Sequence, residues 1–197
     1  MIKYIELKTK RSQSIKKHNI VLDRDGTLIN YIPYLFEEEK VVLLKGTKEA
    51  INILISRNID IFLHTNQSGV GRGYFNIEDV VKCNNKMLEI INLGDNIFKQ
   101  ICIATDYPPL EKTYRKPSPL FANEIIDKYN IERDSIIYVG DSISDLRTAK
   151  NVGCKAYGVM SGGYDLKTLI KLETDLRYEI FPNLLEVVKH LVNINYI

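Results

Sequence analysis

One short stretch constrains the fold more than any other part of the chain: residues 20–28, Ile-Val-Leu-Asp-Arg-Asp-Gly-Thr-Leu. Apolar residues frame two aspartates and a glycine in a run too short for a helix, which predicts a buried strand with carboxylates at its C-terminal end. Side chains two positions apart on a strand share a face, so Asp23 and Asp25 can point toward one small site. Two negative charges that close are costly unless a cation or a proton lies between them.

Taken alone, this stretch also fits an ordinary strand followed by an Asp-Gly turn, which is common in proteins. Two further apolar runs end in polar residues in the same way, which favours a shared site. Residues 59–64 lead into Thr-Asn-Gln-Ser-Gly at 65–69, and residues 136–139 lead into Gly140 and Asp141. Open α/β sheets bind ligands outside the carboxyl ends of their strands, so these polar residues are expected near the first pair.

Two of the polar stretches are suited to a phosphate. The hydroxyl of Thr65 and nearby backbone amides can bind phosphate oxygens, and the glycines at 69, 71 and 73 allow close approach, although a plain polar turn is also glycine-rich. Arg115 and Lys116 precede a helix predicted over residues 118–129, with proline at its first position. Because a helix N-terminus favours anions, two cations there indicate a nearby anion or, alternatively, a solvated surface pair.

The order of these runs predicts an α/β protein with a doubly wound, mostly parallel sheet and right-handed crossovers. Further strands are predicted over 101–104 and 156–160, and helices over 47–57, 77–92, 146–152 (capped by Ser144) and 183–194.

The spacing of the polar stretches also limits the size of any inserted domain. The 20 residues between Gly26 and Thr47, and the 50 residues between Thr65 and Lys116, leave no room for a large cap domain. We expect one domain over residues 19–197, preceded by a basic lead-in at residues 1–18.

Composition excludes several classes of protein. The 197 residues carry a net charge of +2 and are 45% hydrophobic, which is ordinary for one globular domain. No apolar run approaches the ~18 residues of a membrane span, and the N-terminus lacks the apolar core of a secretion signal, so a cytoplasmic protein is expected. Cys83, Cys102 and Cys154 lie far apart, which favours reduced thiols over a disulfide framework or a zinc site.

Together, the polar stretches resemble, in order, the four motifs of the haloacid dehalogenase-like (HAD) phosphatases. They are Asp-Arg-Asp-Gly-Thr at 23–27, Thr65, Lys116, and Gly-Asp at 140–141 followed by Asp145. The resemblance covers residues 19–163 and implies the Rossmann-like fold of that family in its capless form. The longer patterns Asp-Arg-Asp-Gly-Thr, Thr-Asn-Gln-Ser-Gly and Arg-Lys-Pro-x-Pro are similar to the branch that acts on heptose 1,7-bisphosphate and histidinol phosphate.

The resemblance implies catalytic roles for four residues. Asp23 would attack phosphorus and form an aspartyl-phosphate, and Asp25 would act as general acid and then as general base. Thr65 and Lys116 would hold the transferring phosphoryl group. These are the parts of a magnesium-dependent phosphomonoester hydrolase.

The resemblance also implies a magnesium site and substrate contacts. Mg²⁺ would be held by the side chain of Asp23, the backbone carbonyl of Asp25 and the side chain of Asp141. Asp145 is a candidate for supporting that site, and its alternative role is to complement the dipole of the helix that follows. The substrate-side residues would be Asn66, Arg115 and Arg72.

One departure from that branch concerns zinc. Many of its members carry a Cys-x-His pair and a later Cys-x-Cys pair just before Arg-Lys-Pro, but residues 104–114 contain neither cysteine nor histidine. Structural zinc is therefore not expected, and the loop is expected to be held by packing.

The function predicted from these features is hydrolysis of a small phosphorylated sugar, D-glycero-D-manno-heptose 1,7-bisphosphate, in nucleotide-activated heptose biosynthesis. A monomer with no membrane or nucleic-acid partner is expected. The alternatives are a histidinol-phosphate phosphatase and a polynucleotide 3′-phosphatase, although the latter needs a basic, aromatic-bearing groove that a net charge of +2 does not indicate. A catalytically silent binding protein on the same fold is the alternative outside enzymes.

Overall fold

The structure, a computed structural model, describes residues 17–94, 96–107, 113–163, 165 and 178–197. Six strands within those residues form one sheet: β1 (Asn19–Leu22), β2 (Asp60–Asn66), β3 (Gln100–Ala104), β4 (Ile136–Gly140), β5 (Lys155–Val159) and β6 (Glu179–Phe181). They lie in the order β3-β2-β1-β4-β5-β6, and each neighbouring pair is parallel. The predicted α/β class with a parallel, doubly wound sheet is therefore confirmed.

The strand order creates a crevice next to β1. The chain winds outward from β1 through β2 to β3, then returns to the other side of β1 and winds outward again from β4 to β6. Leu22, the last residue of β1, lies opposite Leu63 of β2 and Val139 of β4, and these two strands continue past it to Asn66 and Gly140. The backbone N–H of Asp23 then donates to the Val139 carbonyl at 3.0 Å. A doubly wound sheet binds ligands where the winding direction reverses, which is where Asp23 lies.

Helices cover both faces of the sheet: α1 (Thr47–Ser56), α2 (Ser68–Gly71), α3 (Ile77–Ile91), α4 (Leu120–Tyr129), α5 (Ile143–Val152) and α6 (Leu184–Asn193), with 3₁₀ turns at Glu38–Lys40 and Arg133–Ser135. Alternate side chains of β1 consequently enter different cores. Ile20 and Leu22 pack with residues of α1, α3 and α6, whereas Val21 packs with residues of α4 and α5. Because both faces are covered, β1 is apolar at every position from Ile20 to Leu22 rather than alternating.

Two predicted helix starts were wrong. The helix expected from residue 118 begins at Leu120, with Pro119 at the N-cap position rather than inside the first turn. The helix expected over 146–152 begins at Ile143, and its N-cap is Ser142 rather than Ser144. The reason is a capping box, in which the Ser142 side chain accepts from Ser144 N–H and the Asp145 side chain accepts from Ser142 N–H.

The segment between β1 and α1 forms a flap over the carboxyl end of the sheet. Within this segment, Ile29 and Leu43 make an antiparallel bridge, and the side chains of Leu35 and Val41 are buried. No inserted domain occurs in the described part of the chain, so the capless form is confirmed.

Of the predicted basic lead-in, residues 1–16 lie outside the described residues. Within those that are described, no helix has the length and apolar character needed to cross a bilayer.

Candidate active site

A buried ion-pair network joins three of the predicted residues at the carboxyl end of the sheet. Lys116 Nζ lies 2.6 Å from Asp23 Oδ1 and 2.6 Å from Asp145 Oδ1. All three residues are buried, with Asp23 at 7% exposure and Asp145 at 1%. Because little water can reach these charges, each one depends on the others for stabilisation. The ion pair of Asp145 shows that it does more than complement the dipole of α5.

Three carboxylates converge beside the lysine. Asp23, Asp141 and Asp145 each offer an oxygen within 4.8 Å of the others. Asp141 Oδ2 is buried and has no hydrogen-bond partner among the described residues. An unpartnered carboxylate oxygen inside an acidic cluster is suited to a hard divalent cation, which prefers oxygen ligands. Asp23 and Asp141, two of the residues that were predicted to hold Mg²⁺, therefore fit that ion, and the third carboxylate of the cluster is Asp145.

The electrostatics of the cluster point the same way. Burial, partly countered by Lys116 and reinforced by Asp145 and Asp25, raises the pKa of Asp23 to about 7. Burial, together with the charges of Asp23 and Asp145, raises the pKa of Asp141 to about 9. Burial opposes the charged form of Lys116, but the carboxylates of Asp145 and Asp23 outweigh it and raise the pKa of this lysine. The cluster carries more negative charge than one lysine can balance.

Two glycines make room for the Asp141 carboxylate. A Cβ at Gly26 would lie 2.3 Å from Asp141 Oδ2, and a Cβ at Gly162 would lie 1.7 Å from the same atom. Gly26 also has φ +78, which is in the left-handed region that side chains disfavour. The turn after Asp25 can therefore pass this close to Asp141 only as glycine.

The loop that carries Lys116 is held by side chains of β2. The Asn66 amide donates to the Lys116 carbonyl at 3.2 Å and accepts from the Lys116 N–H at 2.9 Å. His64 Nε2 lies 2.8 Å from the Tyr114 carbonyl, so that nitrogen carries the proton and donates. Nδ1 then accepts from the Tyr138 hydroxyl at 3.3 Å. Asn66, predicted as a substrate-side residue, thus binds the backbone of the loop that carries Lys116 (residues 113–118, here the catalytic loop) with both the nitrogen and the oxygen of its amide.

The carboxylate of Asp25 is surrounded by donors that sequence reasoning mostly missed. Arg24 Nε and Gln67 Nε2 donate to Oδ2 at 3.0 and 2.9 Å, and the Thr65 hydroxyl donates to the same oxygen at 3.3 Å. Arg24 Nη2 donates to Oδ1 at 3.1 Å. The available signal was an arginine between two aspartates at the end of an apolar strand, since a charge there must be paired.

A cavity of about 310 Å³ opens above these residues. Asp23, Asp25 and Asp141 lie on its wall together with Lys116 and Thr65. The other lining residues are Asn66, Gln67, Ser68, Gly69, Arg115, Ser142, Ser144 and five consecutive flap residues from Tyr31 to Leu35. The strand ends, the catalytic loop and the flap thus enclose one polar site.

The two predicted substrate-side arginines occupy different places. Arg115 lines the cavity, and its buried Nη1 has no hydrogen-bond partner among the described residues. Arg72 does not line it, and its guanidinium lies over the Tyr107 ring, 3.2 Å from the centroid. Contact of either arginine with a substrate stays a prediction.

Known proteins share this fold and this arrangement. A family model described as HAD-hydrolase-like matches residues 113–187. The D-glycero-beta-D-manno-heptose-1,7-bisphosphate 7-phosphatase of Pseudomonas putida is 30% identical over 177 residues, which are 88% of this chain and 98% of that protein. The chain belongs to the haloacid dehalogenase-like hydrolases. It is a phosphatase of that family, as its sequence motifs predicted.

Two further similarities extend the comparison within this HAD family. The D-glycero-alpha-D-manno-heptose-1,7-bisphosphate 7-phosphatase of Campylobacter jejuni is 27% identical over 178 residues, 88% of this chain and 95% of that protein. The crystal structure of D,D-heptose 1,7-bisphosphate phosphatase from Bordetella bronchiseptica, complexed with magnesium and phosphate, has a TM-score of 0.79 at 27% identity. The structural alignment covers 89% of this chain and 98% of the Bordetella chain. The predicted HAD fold is therefore confirmed over most of the chain.

Binding of Mg²⁺ should stabilise this phosphatase more at alkaline than at acid pH. Since the pKa of Asp141, about 9, lies above its ordinary 3.8, the metal-free folded state loses stability as the pH rises between those values. A cation bound to the ionised carboxylates restores that stability. We expect added Mg²⁺ to raise Tm by several degrees at about pH 8.5 and by much less at about pH 5.5.

Asp141→Asn is the variant for this measurement. It should raise the metal-free Tm at alkaline pH, because it removes one of the crowded charges, and it should lose most of the increment from Mg²⁺. An increment of equal size at both pH values, in wild type and variant alike, would contradict the assignment of Asp141 as a ligand.

His64 should make the protein sensitive to mild acid. Burial, helped by the Lys116 charge, lowers the pKa of His64 to about 3. The pKa of this histidine in the unfolded state is about 6.5, so as the pH falls below that value the unfolded state binds a proton and the folded state does not. The advantage of wild type over His64→Gln in unfolding free energy should shrink by about 1.4 kcal/mol per pH unit below pH 6. Chemical denaturation of both proteins at several pH values measures this difference in unfolding free energy. A difference that stays constant with pH would contradict the prediction.

Proposed function

We propose that this phosphatase uses Mg²⁺ and a covalent phosphate on Asp23 to hydrolyse D-glycero-D-manno-heptose 1,7-bisphosphate. The observation that carries the proposal is the contact of Lys116 with Asp23 at 2.6 Å, in a cavity that Asp141 also lines and beside which its buried Oδ2 has no partner among the described residues. The site thus combines a nucleophile, a cation for the phosphate and a free oxygen ligand for a metal. That combination is suited to phosphoryl transfer, in which positioning and charge neutralisation supply most of the catalysis.

In the first step, a carboxylate oxygen of Asp23 attacks phosphorus. The new bond between Asp23 and phosphorus forms as the bond from phosphorus to the leaving oxygen breaks. A proton passes from Asp25 to the leaving oxygen, which departs as an alcohol. Lys116 remains beside Asp23 and offsets part of the negative charge of the phosphoryl group.

In the second step, water hydrolyses the aspartyl-phosphate. Asp25, now ionised, takes a proton from the water while the water oxygen attacks phosphorus and the bond to Asp23 breaks. Inorganic phosphate leaves, Asp23 is again a carboxylate and Asp25 is again protonated. One carboxyl group serves both steps, because it gives a proton to the leaving alcohol and then regains one from the attacking water.

Mg²⁺ would be held by the side chains of Asp23 and Asp141 and by the backbone carbonyl of Asp25. When bound, it supplies the positive charge that lets a phosphate dianion approach three carboxylates. The magnesium and phosphate named with the Bordetella structure support this assignment.

The choice of substrate is supported by the relatives and by the cavity wall. The Pseudomonas and Campylobacter relatives are named as 7-phosphatases of heptose 1,7-bisphosphates, one for the beta and one for the alpha form. Arg115 lines the same cavity and its buried Nη1 has no partner among the described residues, so its guanidinium is a donor for a polar or anionic substituent of the substrate. We therefore propose removal of the phosphate at position 7, from either anomer.

Asp23→Asn should abolish phosphate release, because the amide cannot form the covalent intermediate. We expect a loss of at least ~10³-fold in kcat with Mg²⁺ present. Asp60→Asn is the matched control, since Asp60 begins β2 at the other end of the sheet and its carboxylate binds Lys17 and Lys99. Turnover of Asp23→Asn at the wild-type rate would show that the nucleophile is a different group.

The substrate assignment is tested by comparing kcat/KM for both anomers of heptose 1,7-bisphosphate, histidinol phosphate and a 3′-phosphorylated oligonucleotide. We expect a preference of at least ~10²-fold for a heptose bisphosphate over the other two. A preference for histidinol phosphate or the oligonucleotide would overturn the substrate and leave the chemistry of Asp23 intact.

A further inference from the structure

The side chain of Arg24 is the largest one that is fully buried in the described residues, and it lies between the two catalytic aspartates in sequence. Alternation along the strand directs Asp23 and Asp25 to one face and residue 24 to the other. The guanidinium nevertheless returns to the site and makes a two-point contact with Asp25, through Nε to Oδ2 at 3.0 Å and Nη2 to Oδ1 at 3.1 Å. A guanidinium that binds both oxygens fixes the plane of a carboxylate as well as its position.

The remaining nitrogen of the guanidinium anchors it from behind. Nη1 donates to Asn84 Oδ1 at 2.9 Å, and Asn84 is a buried residue of α3. All three nitrogens of Arg24 are therefore used, two on Asp25 and one on a helix that packs against the sheet. This arrangement leaves Arg24 little freedom to move, and Asp25 little freedom to rotate.

The donors divide unequally between the two oxygens of Asp25. Oδ2 receives Arg24 Nε, Gln67 Nε2 and the Thr65 hydroxyl, whereas Oδ1 receives a single donor from the described part of the chain, Arg24 Nη2. A carboxylate oxygen has about two lone-pair sites, so Oδ2 is saturated and Oδ1 retains one. Asp25 lines the catalytic cavity, so this remaining site is the one available to a substrate oxygen or a water.

We infer that Arg24 is a positioning residue that holds Asp25 so that Oδ1 carries the proton exchanged with the leaving group and with the attacking water. The inference rests on the proposed function, because it presupposes that Asp25 is the general acid and base. Arg24 itself is not among the residues that line the cavity. Its effect on the reaction passes through the orientation of one carboxyl group.

The test uses substrates that differ in their need for a proton. An alkyl phosphate releases a basic alkoxide and depends on the general acid, whereas p-nitrophenyl phosphate releases a stable phenolate and does not. For Arg24→Lys and Arg24→Gln in the full chain, we expect kcat/KM for the alkyl phosphate to fall by about 10²-fold, and kcat/KM for the aryl phosphate to fall less than about fivefold.

A second signature comes from the hydrolysis of the aspartyl-phosphate, where Asp25 acts as base for every substrate. In the Arg24 variants kcat for the aryl phosphate should therefore fall more than kcat/KM, so KM falls too. Rapid mixing should show a burst of p-nitrophenol, as the intermediate accumulates. If the role of Arg24 were purely structural, kcat/KM for the alkyl and aryl phosphates would instead fall by the same factor, and no burst would appear.

Two variants separate this effect from a loss of stability. Asn19→Ala, at the other end of β1, removes a buried hydrogen bond to Ser135 and should leave the ratio of alkyl to aryl activity unchanged. Asn84→Asp offers Arg24 a competing carboxylate and should reproduce the change in that ratio in weaker form. If the Arg24 variants fail to fold, Asn84→Asp provides the test of the role of Arg24.

The outcomes are distinct. An unchanged alkyl-to-aryl ratio in folded Arg24 variants, or in Asn84→Asp when they do not fold, overturns the role of Arg24 alone. Wild-type protein that releases no phosphate from either substrate overturns the proposed function instead.

Discussion

The contact of Lys116 with Asp23 and Asp145 is the interaction on which the rest of the site depends. It brings one positive charge among three buried carboxylates, two of which it touches at 2.6 Å. Without it, Asp23 would lie in a buried cluster of like charges and would favour its protonated, non-nucleophilic form. The same contact ties together the end of β1, the catalytic loop and the first turn of α5, because each contributes one of the three side chains.

The backbone that carries that lysine is in turn held by polar side chains of β2. Asn66 binds both the N–H and the carbonyl of Lys116, and His64 binds the carbonyl of Tyr114 two residues earlier. These bonds are made from β2, the neighbour of β1, so the loop is held by the same sheet whose edge carries Asp23. Hydrogen bonds from a strand thus hold the backbone at Tyr114 and Lys116.

Much of the fold followed from patterns that are local in the chain. Short apolar runs ending in Asp23, Thr65 and Asp141 predicted strands that end at one edge, and the structure has them there. Helix starts were less predictable, because Ser142 and Ser144 are both good N-caps and the choice depends on where Asp145 can reach back. The donors around Asp25 were less predictable still, since Gln67 and Arg24 each have an ordinary solvent-facing interpretation when the sequence is considered alone.

The sequence by itself determined the alternation of strands and helices, the parallel sheet and the grouping of acidic residues at strand ends. Those properties depend on periodicity and on spacings of a few residues, which the chain displays directly. Only the tertiary structure decided which charge meets which. Lys116 and Asp23 are 93 positions apart, and Arg24 and Asn84 are 60 apart. Such pairings depend on differences of about an ångström between packed elements, and side-chain periodicity carries no information at that scale.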